Sequence, residues 1–412
     1  MTRLHTTFIT RLGAVGAALL FSSASWAAVQ NITAVFVPDP ANPMVNKFTN
    51  TTPITGHCGT QPAFCAGWGL FSLLTTLTFS ANGPIVANNE MRQGAMFKVP
   101  SQWRQVQVTH IRTGEQETVE MRIAALGGWH ELGASASQIS GGGNHNNVWV
   151  GGWWARDALP CIRTNDQSAT GTGFSYFWRI PEGDGTCVKQ ARYQVPNLRY
   201  TSIHLAYELR TPNPLGMSSG EYQGSLTYTV GPRMDFDMGD VMMPNDSALT
   251  FNFSLSVEHT LKVELPPGGT RIELLPQGGW QAWLNQGRKP ARLFRDQTFN
   301  ISASSRFKMQ MLCERVSGDT CALKNNTDNH EVPLDVSVSL PHGLNRPDGA
   351  AVDRQPLLLS GVGTEVFQPG FYVNRRPGTL HFEVKKEHAD QMISRGGTTY
   401  SGQVTVIWDS EL

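Results

Sequence analysis

Residues 398–412 read TTYSGQVTVIWDSEL. Tyr400, Gly402, Val404, Val406 and Trp408 share one parity, with Gln403 and Thr405 on the other, which is the period of two expected of a strand with one face on a core. Only four residues follow Trp408, too few to turn back and cover a far edge. The stretch therefore predicts a strand that needs a partner from elsewhere. The same arrangement stands in GEYQGSLTYTV, residues 220–230, where Tyr222, Gly224, Leu226, Tyr228 and Val230 again alternate. Its recurrence predicts two β domains, each closing with an equivalent strand.

Between the copies, residues 231–250 (GPRMDFDMGDVMMPNDSALT) carry turn residues with little periodicity, and MDFDMGD within them reads as a solvated connection between the domains. Alternation resumes at Phe251, Phe253, Leu255 and Val257, then at Leu261, Val263 and Leu265 before the turn PPGG. A boundary near Val257 gives a first domain over 28–256 and a second over 257–412. Later strands follow the same rule: one runs to Cys313, one holds Val332, Leu334, Val336 and Val338, and one holds Leu380, Phe382 and Val384. Short alternating strands separated by turns predict an all-β protein of two immunoglobulin-like sandwiches. No long stretch keeps a helical period.

At the other end, Arg3 and Arg11 precede an apolar run from Leu12 to Phe21, and small residues stand at Ser25 and Ala27, so residues 1–27 read as a secretory signal peptide. Without Arg3 and Arg11 the 33 basic residues become 31, against 33 acidic ones, a balance that argues against phosphate-backbone recognition and a nucleic-acid partner. Charged residues make up 16% of the chain, below the roughly 25% of an average soluble domain. The six cysteines fall into sequence-local pairs, Cys58 with Cys65, Cys161 with Cys187 and Cys313 with Cys321, although six cysteines formally allow about fifteen pairings. Export favours disulfides, and neither close C-x-x-C spacing nor a completing histidine pair points to a metal.

Catalytic patterns are sparse. GASASQISGGGN, residues 133–144, has no nucleophile elbow, and MDFDMGD places Asp235, Asp237 and Asp240 without the order or terminal glutamate of a calcium loop. Glu115, Glu117, Glu120 and Arg122 read as the solvent face of a strand whose other face holds Val119, Met121 and Ile123. His130 with His145, or His381 with His388, would be ligands only if folding united them. Seven tryptophans, Trp68, Trp103, Trp129, Trp149, Trp153, Trp154 and Trp178, lie in the first domain, densest in GGGNHNNVWVGGWWARD. Tryptophan offers a face to a sugar or a cation, which puts any binding role in that domain, with Trp153 and Trp154 as candidates. The sequence implies no cofactor. A secreted β-sandwich enzyme acting on glycans through paired carboxylates is the rival from another class.

Three segments, SVEHTLKVELPPGGTRIELLPQGGW (256–280), FNISASSRFKMQMLCE (299–314) on to Cys321, and the closing YSGQVTVIW (400–408), together resemble the CfaE/CblD family of fimbrial tip adhesins and pilus-assembly initiators of the chaperone–usher pathway. The resemblance covers most of 251–412 and weakens toward the N terminus. It implies an N-terminal receptor-binding domain and a C-terminal pilin domain lacking one strand. A periplasmic chaperone would donate that strand during export, and the N-terminal extension of a major pilin would replace it at the outer-membrane usher. The strand from Tyr400 through Gly402, Val404 and Val406 to Trp408 would border the groove. The fibre would carry the chain to the cell surface, at its tip. In this family a host glycan or glycoprotein is met by exposed arginines after a late strand, where LAYELRTPNPLG places Arg210. Thr211 and Pro212 follow in place of a second basic residue, which departs from the family pattern. The mature start AVQNITAVFVPDP resembles a pilin donor extension but is read first as the opening strand of the first domain; were it to donate, the chain would sit inside the fibre, and a purely structural fimbrial subunit is the second alternative.

Overall fold

The computed structural model describes residues 28–410 apart from 153, 155, 156, 165–167, 184 and 288. The expected signal peptide over 1–27 and Trp153 lie outside the described residues.

The first domain is built on one large, strongly curled sheet. Its main strands are β1 (Ala28–Phe36), β2 (Phe71–Thr75), β3 (Arg104–His110), β4 (Gln116–Glu131), β5 (Gly173–Arg179), β6 (Arg199–Arg210), β7 (Gly220–Thr229) and β8 (Ala248–Val257). They run in the spatial order β6, β4, β3, β7, β8, β1, with β2 added to β6 and β5 to β4. Alternation dictates this: Leu249, Phe251, Phe253, Leu255 and Val257 are buried while the residues between them are not, so a one-residue slip would turn the whole set to water. β1 lies parallel to β8 along its full length, from Ala28 opposite Leu249 to Phe36 opposite Val257. AVQNITAVF is thus the first strand of this domain, with Ile32, Ala34 and Phe36 in its core.

Two expectations change here. The strand that closes the first domain is β8, since β7 turns back into it and is paired on both edges, by β8 and by β3. Residues 231–247 are not a solvated connection, because Phe236, Met238 and Met242 are buried in the first core. Asp237 is 1% exposed and is gripped by Arg92 at 2.8 Å, which reaches Asp240 at 2.7 Å as well, while Arg104 pairs with Asp235. The acidic run is neutralised by arginines that lie more than a hundred residues away in sequence. Arg122 is likewise buried, ion-paired with Glu208 at 2.8 Å directly across β4 and β6, and does not face solvent.

The second domain has its own core. Its strands are β9 (Leu261–Glu264), β10 (Leu275–Pro276), β11 (Arg292–Ala303), β12 (Lys308–Cys313), β13 (Thr320–Asn325), β14 (Glu331–Ser339), β15 (Val373–Lys385), β16 (Tyr400–Ser401) and β17 (Val404–Asp409). One sheet runs β9, β11, β15, β14, β13, and a second holds β12 with β17. An immunoglobulin sandwich of constant type places strands A, B, E, D in one sheet and C, F, G in the other. Here β9, β11, β15 and β14 are A, B, E and D, and β12 and β17 are C and F. Among the described residues no strand occupies the G position beside β17.

Three disulfides join Cys58 to Cys65, Cys161 to Cys187 and Cys313 to Cys321, with Cα separations of 5.5, 5.6 and 5.3 Å. Between the domains, His259 donates from Nε2 to the Met217 carbonyl at 2.9 Å and bonds Ser304 Oγ through Nδ1 at 3.1 Å. Arg306 approaches Glu115 at 4.0 Å, and the Tyr372 amide donates to the Pro43 carbonyl at 3.2 Å.

Candidate functional site

The free edge of β17 faces β9 across an open groove of about 380 Å³, lined by Leu261, Val263, Trp408, Asp409 and Ser410. Alternation along both strands determines what it presents. Leu261 and Val263 from β9, Ile272 and Leu274 from the segment leading into β10, and Val404, Val406 and Trp408 from β17 all pack on the second core yet stay partly exposed. The Trp408 indole meets the Phe299 ring edge-on at 5.6 Å, and its Nε1 is buried with no hydrogen-bond partner among the described residues. Of the corresponding positions in and after β7, Tyr228 and Val230 are buried and Leu226 is partly exposed, and β7 has neighbours on both edges. Equivalent sequence patterns therefore give a covered strand in one domain and an uncovered one in the other.

Charge at the groove's rim is settled internally. Lys308 pairs with Asp409 at 3.1 Å, and Glu264 takes both Lys262 at 2.8 Å and Arg375 at 3.1 Å. The hydrogen bond from Lys262, with the Arg375 charge added, holds the Glu264 carboxyl below its ordinary range. What remains uncovered is an apolar floor beside a strand edge. Such an edge offers backbone donors and acceptors to an added strand and pockets to its alternate side chains.

The expected strand from Tyr400 to Trp408 is broken in two. Tyr400 and Ser401 form β16 and pair with Asn325 and Lys324 of β13, whereas Val404 to Asp409 pair with Cys313 to Lys308 of β12. The crossing falls at Gly402, where a Cβ would stand 2.8 Å from the Ala322 carbonyl oxygen, so only glycine passes without a shift. Val404, Val406 and Trp408 thus border the groove; Tyr400 instead bonds His330 Nδ1 through its hydroxyl at 2.9 Å.

Of the receptor candidates in the first domain, Arg210 closes β6 with its guanidinium 3.9 Å from the centre of the Trp103 ring and 3.5 Å from the Glu120 carboxylate across the strand pair. Its side chain is 56% exposed. Trp154 is 1% exposed and stacks parallel to Trp178 with 5.2 Å between ring centres, so it belongs to the core and touches no external ligand. Folding does unite His130 and His145, at 5.8 Å between ring centres, inside a cage of Trp149, Trp154, Phe174 and Tyr176. Burial pushes the pKa of both imidazoles down, His130 well below its usual range. Among the described residues no group of three or more histidine, cysteine or acidic side chains is arranged to hold a metal.

No protein-family profile and no curated protein matches the sequence. Among solved structures, the chain is similar over 93% of its length to a CFA/I fimbrial chaperone–tip adhesin complex, at 11% identity with a TM-score of 0.26 and 97% of that chain covered. It is similar over 93% of its length to CfaE, the adhesive subunit of CFA/I fimbriae of enterotoxigenic Escherichia coli, at 10% identity with a TM-score of 0.23 and 92% of that chain covered. A third match, over 92% of the chain, is the CsuC–CsuE chaperone–tip adhesion subunit complex of Acinetobacter baumannii, at 11% identity with a TM-score of 0.20 and 97% of that chain covered. The matched structures include the CfaE adhesin of the family that the sequence resembles. At these TM-scores the functional conclusion rests on the chain's own geometry.

Proposed function

We propose that this chain is the adhesive end subunit of a chaperone–usher fimbria. Its second domain would accept a donor strand, first from a periplasmic chaperone and then from a major pilin, and its first domain would meet a host-surface glycan or glycoprotein. The observation that carries this reading is the vacant G position: among the described residues β17 is paired only with β12, and an apolar groove separates it from β9. A strand of alternating apolar residues laid there would pair with β17 and fill the space over Leu261, Val263, Val404, Val406 and Trp408.

An end position, with no donation onward, is supported by β1. All nine of its residues are in register with β8, and Ala28, Ile32, Ala34 and Phe36 are buried. Withdrawing β1 to donate it would dismantle the first core. A division near Val257 is supported by β8, which ends in the first core at Val257, and by β9, which begins at Leu261 against the second.

Expression of the two fragments in a periplasm tests the reading. Residues 28–256 should accumulate as a folded monomer, and residues 257–412 should be degraded or aggregate unless a chaperone or a pilin N-terminal peptide is supplied. A second fragment that accumulates and melts cooperatively alone would refute strand acceptance.

A further inference from the structure

The outer face of the β4–β5–β6 region repeats one construction twice and finishes it only once. Phe177 lies over Gly127, where a Cβ would stand 2.5 Å from its Cδ2, and His57 covers the other face of the phenyl ring in a parallel stack at 4.0 Å and 9°. One row along the sheet, Trp129 lies over Gly173, where a Cβ would stand 2.3 Å from Cζ2, 2.5 Å from Cε2 and 2.6 Å from Nε1. The added atom would meet the Nε1–Cζ2 edge of the indole, so that edge comes down on bare backbone. Trp129 is partly exposed and stacks on no other ring among the described residues.

Polar groups edge this indole. Ser202 is its register partner on β6, and the Ser202 hydroxyl lies 2.8 Å from His204 Nε2. Next along, Glu131 stands opposite Arg199 on β6 and opposite Gly173 on β5. Neither Glu131 nor Arg199 forms an ion pair among the described residues, and together they bring no net charge. Their planar groups can each bond two neighbouring hydroxyls.

We propose that Trp129, with Ser202, His204, Glu131 and Arg199 around it, is a carbohydrate platform that takes one neutral pyranose ring of a surface glycan. The C–H face of the sugar would occupy the place that His57 takes on Phe177, since polarised C–H groups favour the electron-rich face of an aromatic ring. Its hydroxyls would be met by the polar edge. This deepens the adhesin reading and rests on it. The platform lies at the opposite end of β6 from Arg210.

The test uses the mature full-length chain, stabilised by chaperone or donor peptide, in saturation-transfer NMR with the methyl glycosides of galactose, mannose, N-acetylglucosamine and fucose. Retention on beads carrying the same sugars and adhesion to host cells are measured alongside. At least one sugar should bind with transfer strongest on the protons of one ring face, and Trp129→Ala should cut bead retention about tenfold with the melting temperature maintained. Ser202→Val, which leaves the indole seated, should also weaken retention and serves if Trp129→Ala does not fold. Failure of all four sugars to bind, or retention unchanged in both variants, overturns the platform. Cell adhesion equal in wild type and variants would leave the adhesin reading standing without it, whereas a wild type that adheres to no cell would remove both.

Discussion

His130 gives the first domain a calculable sensitivity to acid. Both of its ring nitrogens are buried without a hydrogen-bond partner, and the side chains packed around it, His145, Trp149, Trp154, Phe174 and Tyr176, supply no charge to pair with an imidazolium. Burial raises the Tyr176 and Tyr200 hydroxyls, so both tyrosines stay neutral through the acid range, and it lowers His145. A histidine held neutral in the fold and free to titrate near 6.5 when unfolded contributes its full stability above that value. The contribution is lost as pH falls below it, because only the unfolded chain takes up the proton. The loss grows as pH falls from 6.5 toward the depressed folded value, at up to about 1.4 kcal/mol per pH unit. For a domain of this size each kcal/mol is roughly 2–4 °C of melting temperature. The assay is thermal melting of residues 28–256 from pH 8 to pH 5, beside His130→Phe, which keeps a ring in the cage and removes the titrating group. The variant's decline should be shallower than wild type by that amount. His145, His204 and His259 are also lowered by burial and add to the slope in the full chain, so the difference between the two proteins is the measured quantity. Parallel curves for wild type and His130→Phe would refute the reasoning.

Other outcomes follow from single contacts. Trp408→Ala should weaken binding of a donor peptide or chaperone by about tenfold, because a partly exposed tryptophan leaves roughly 60 Å² for the added strand to cover, about 1.5 kcal/mol, and isothermal titration would read it. Replacing Cys161 and Cys187 together by serine opens a loop closed over a sequence separation of 26 and should lower the stability of the first domain by about 2–5 kcal/mol in urea unfolding, with the second domain's transition unmoved. Asp237→Asn removes the buried carboxylate that Arg92 grips and should destabilise the first domain by about 3 kcal/mol, an effect that added salt does not reproduce because the carboxylate is shielded from water.

The all-β class was legible in the parity of Phe251 to Val257 and Val404 to Trp408, since period two leaves one arrangement that buries the apolar set. The same parity was silent on pairing. Tyr222 and Val404 carry like patterns, and only the tertiary arrangement reveals that one strand has two neighbours and the other one. Leu261 and Val263 were readable as a strand, but their place across a groove from Trp408 depends on which edge of β11 their strand joins. Local reading failed where distant charges met: Asp237 and Arg122 look solvated in their own segments and are buried because Arg92 and Glu208 come to them. For the tryptophans, glycine density pointed to Trp154, which is core. Trp129, like Trp68 and Trp103, is partly exposed, and its signal lay in the glycine beside its edge, Gly173, far along the chain.

The central claim is that β17 has an open edge that another strand completes. Its most direct measurement compares the mature chain with a version extended, through a flexible linker after residue 412, by a strand of alternating apolar residues. A control carries the same extension with lysines at the apolar positions. The account predicts that the apolar extension alone turns a poorly accumulating, aggregation-prone protein into a monomer, adds a cooperative melting transition for the second domain and protects the Val404, Val406 and Trp408 amides, which face the open edge, from hydrogen exchange. If the unextended chain is already a monomer with that transition, and the apolar extension changes neither its melting nor its exchange, the vacant strand position is contradicted.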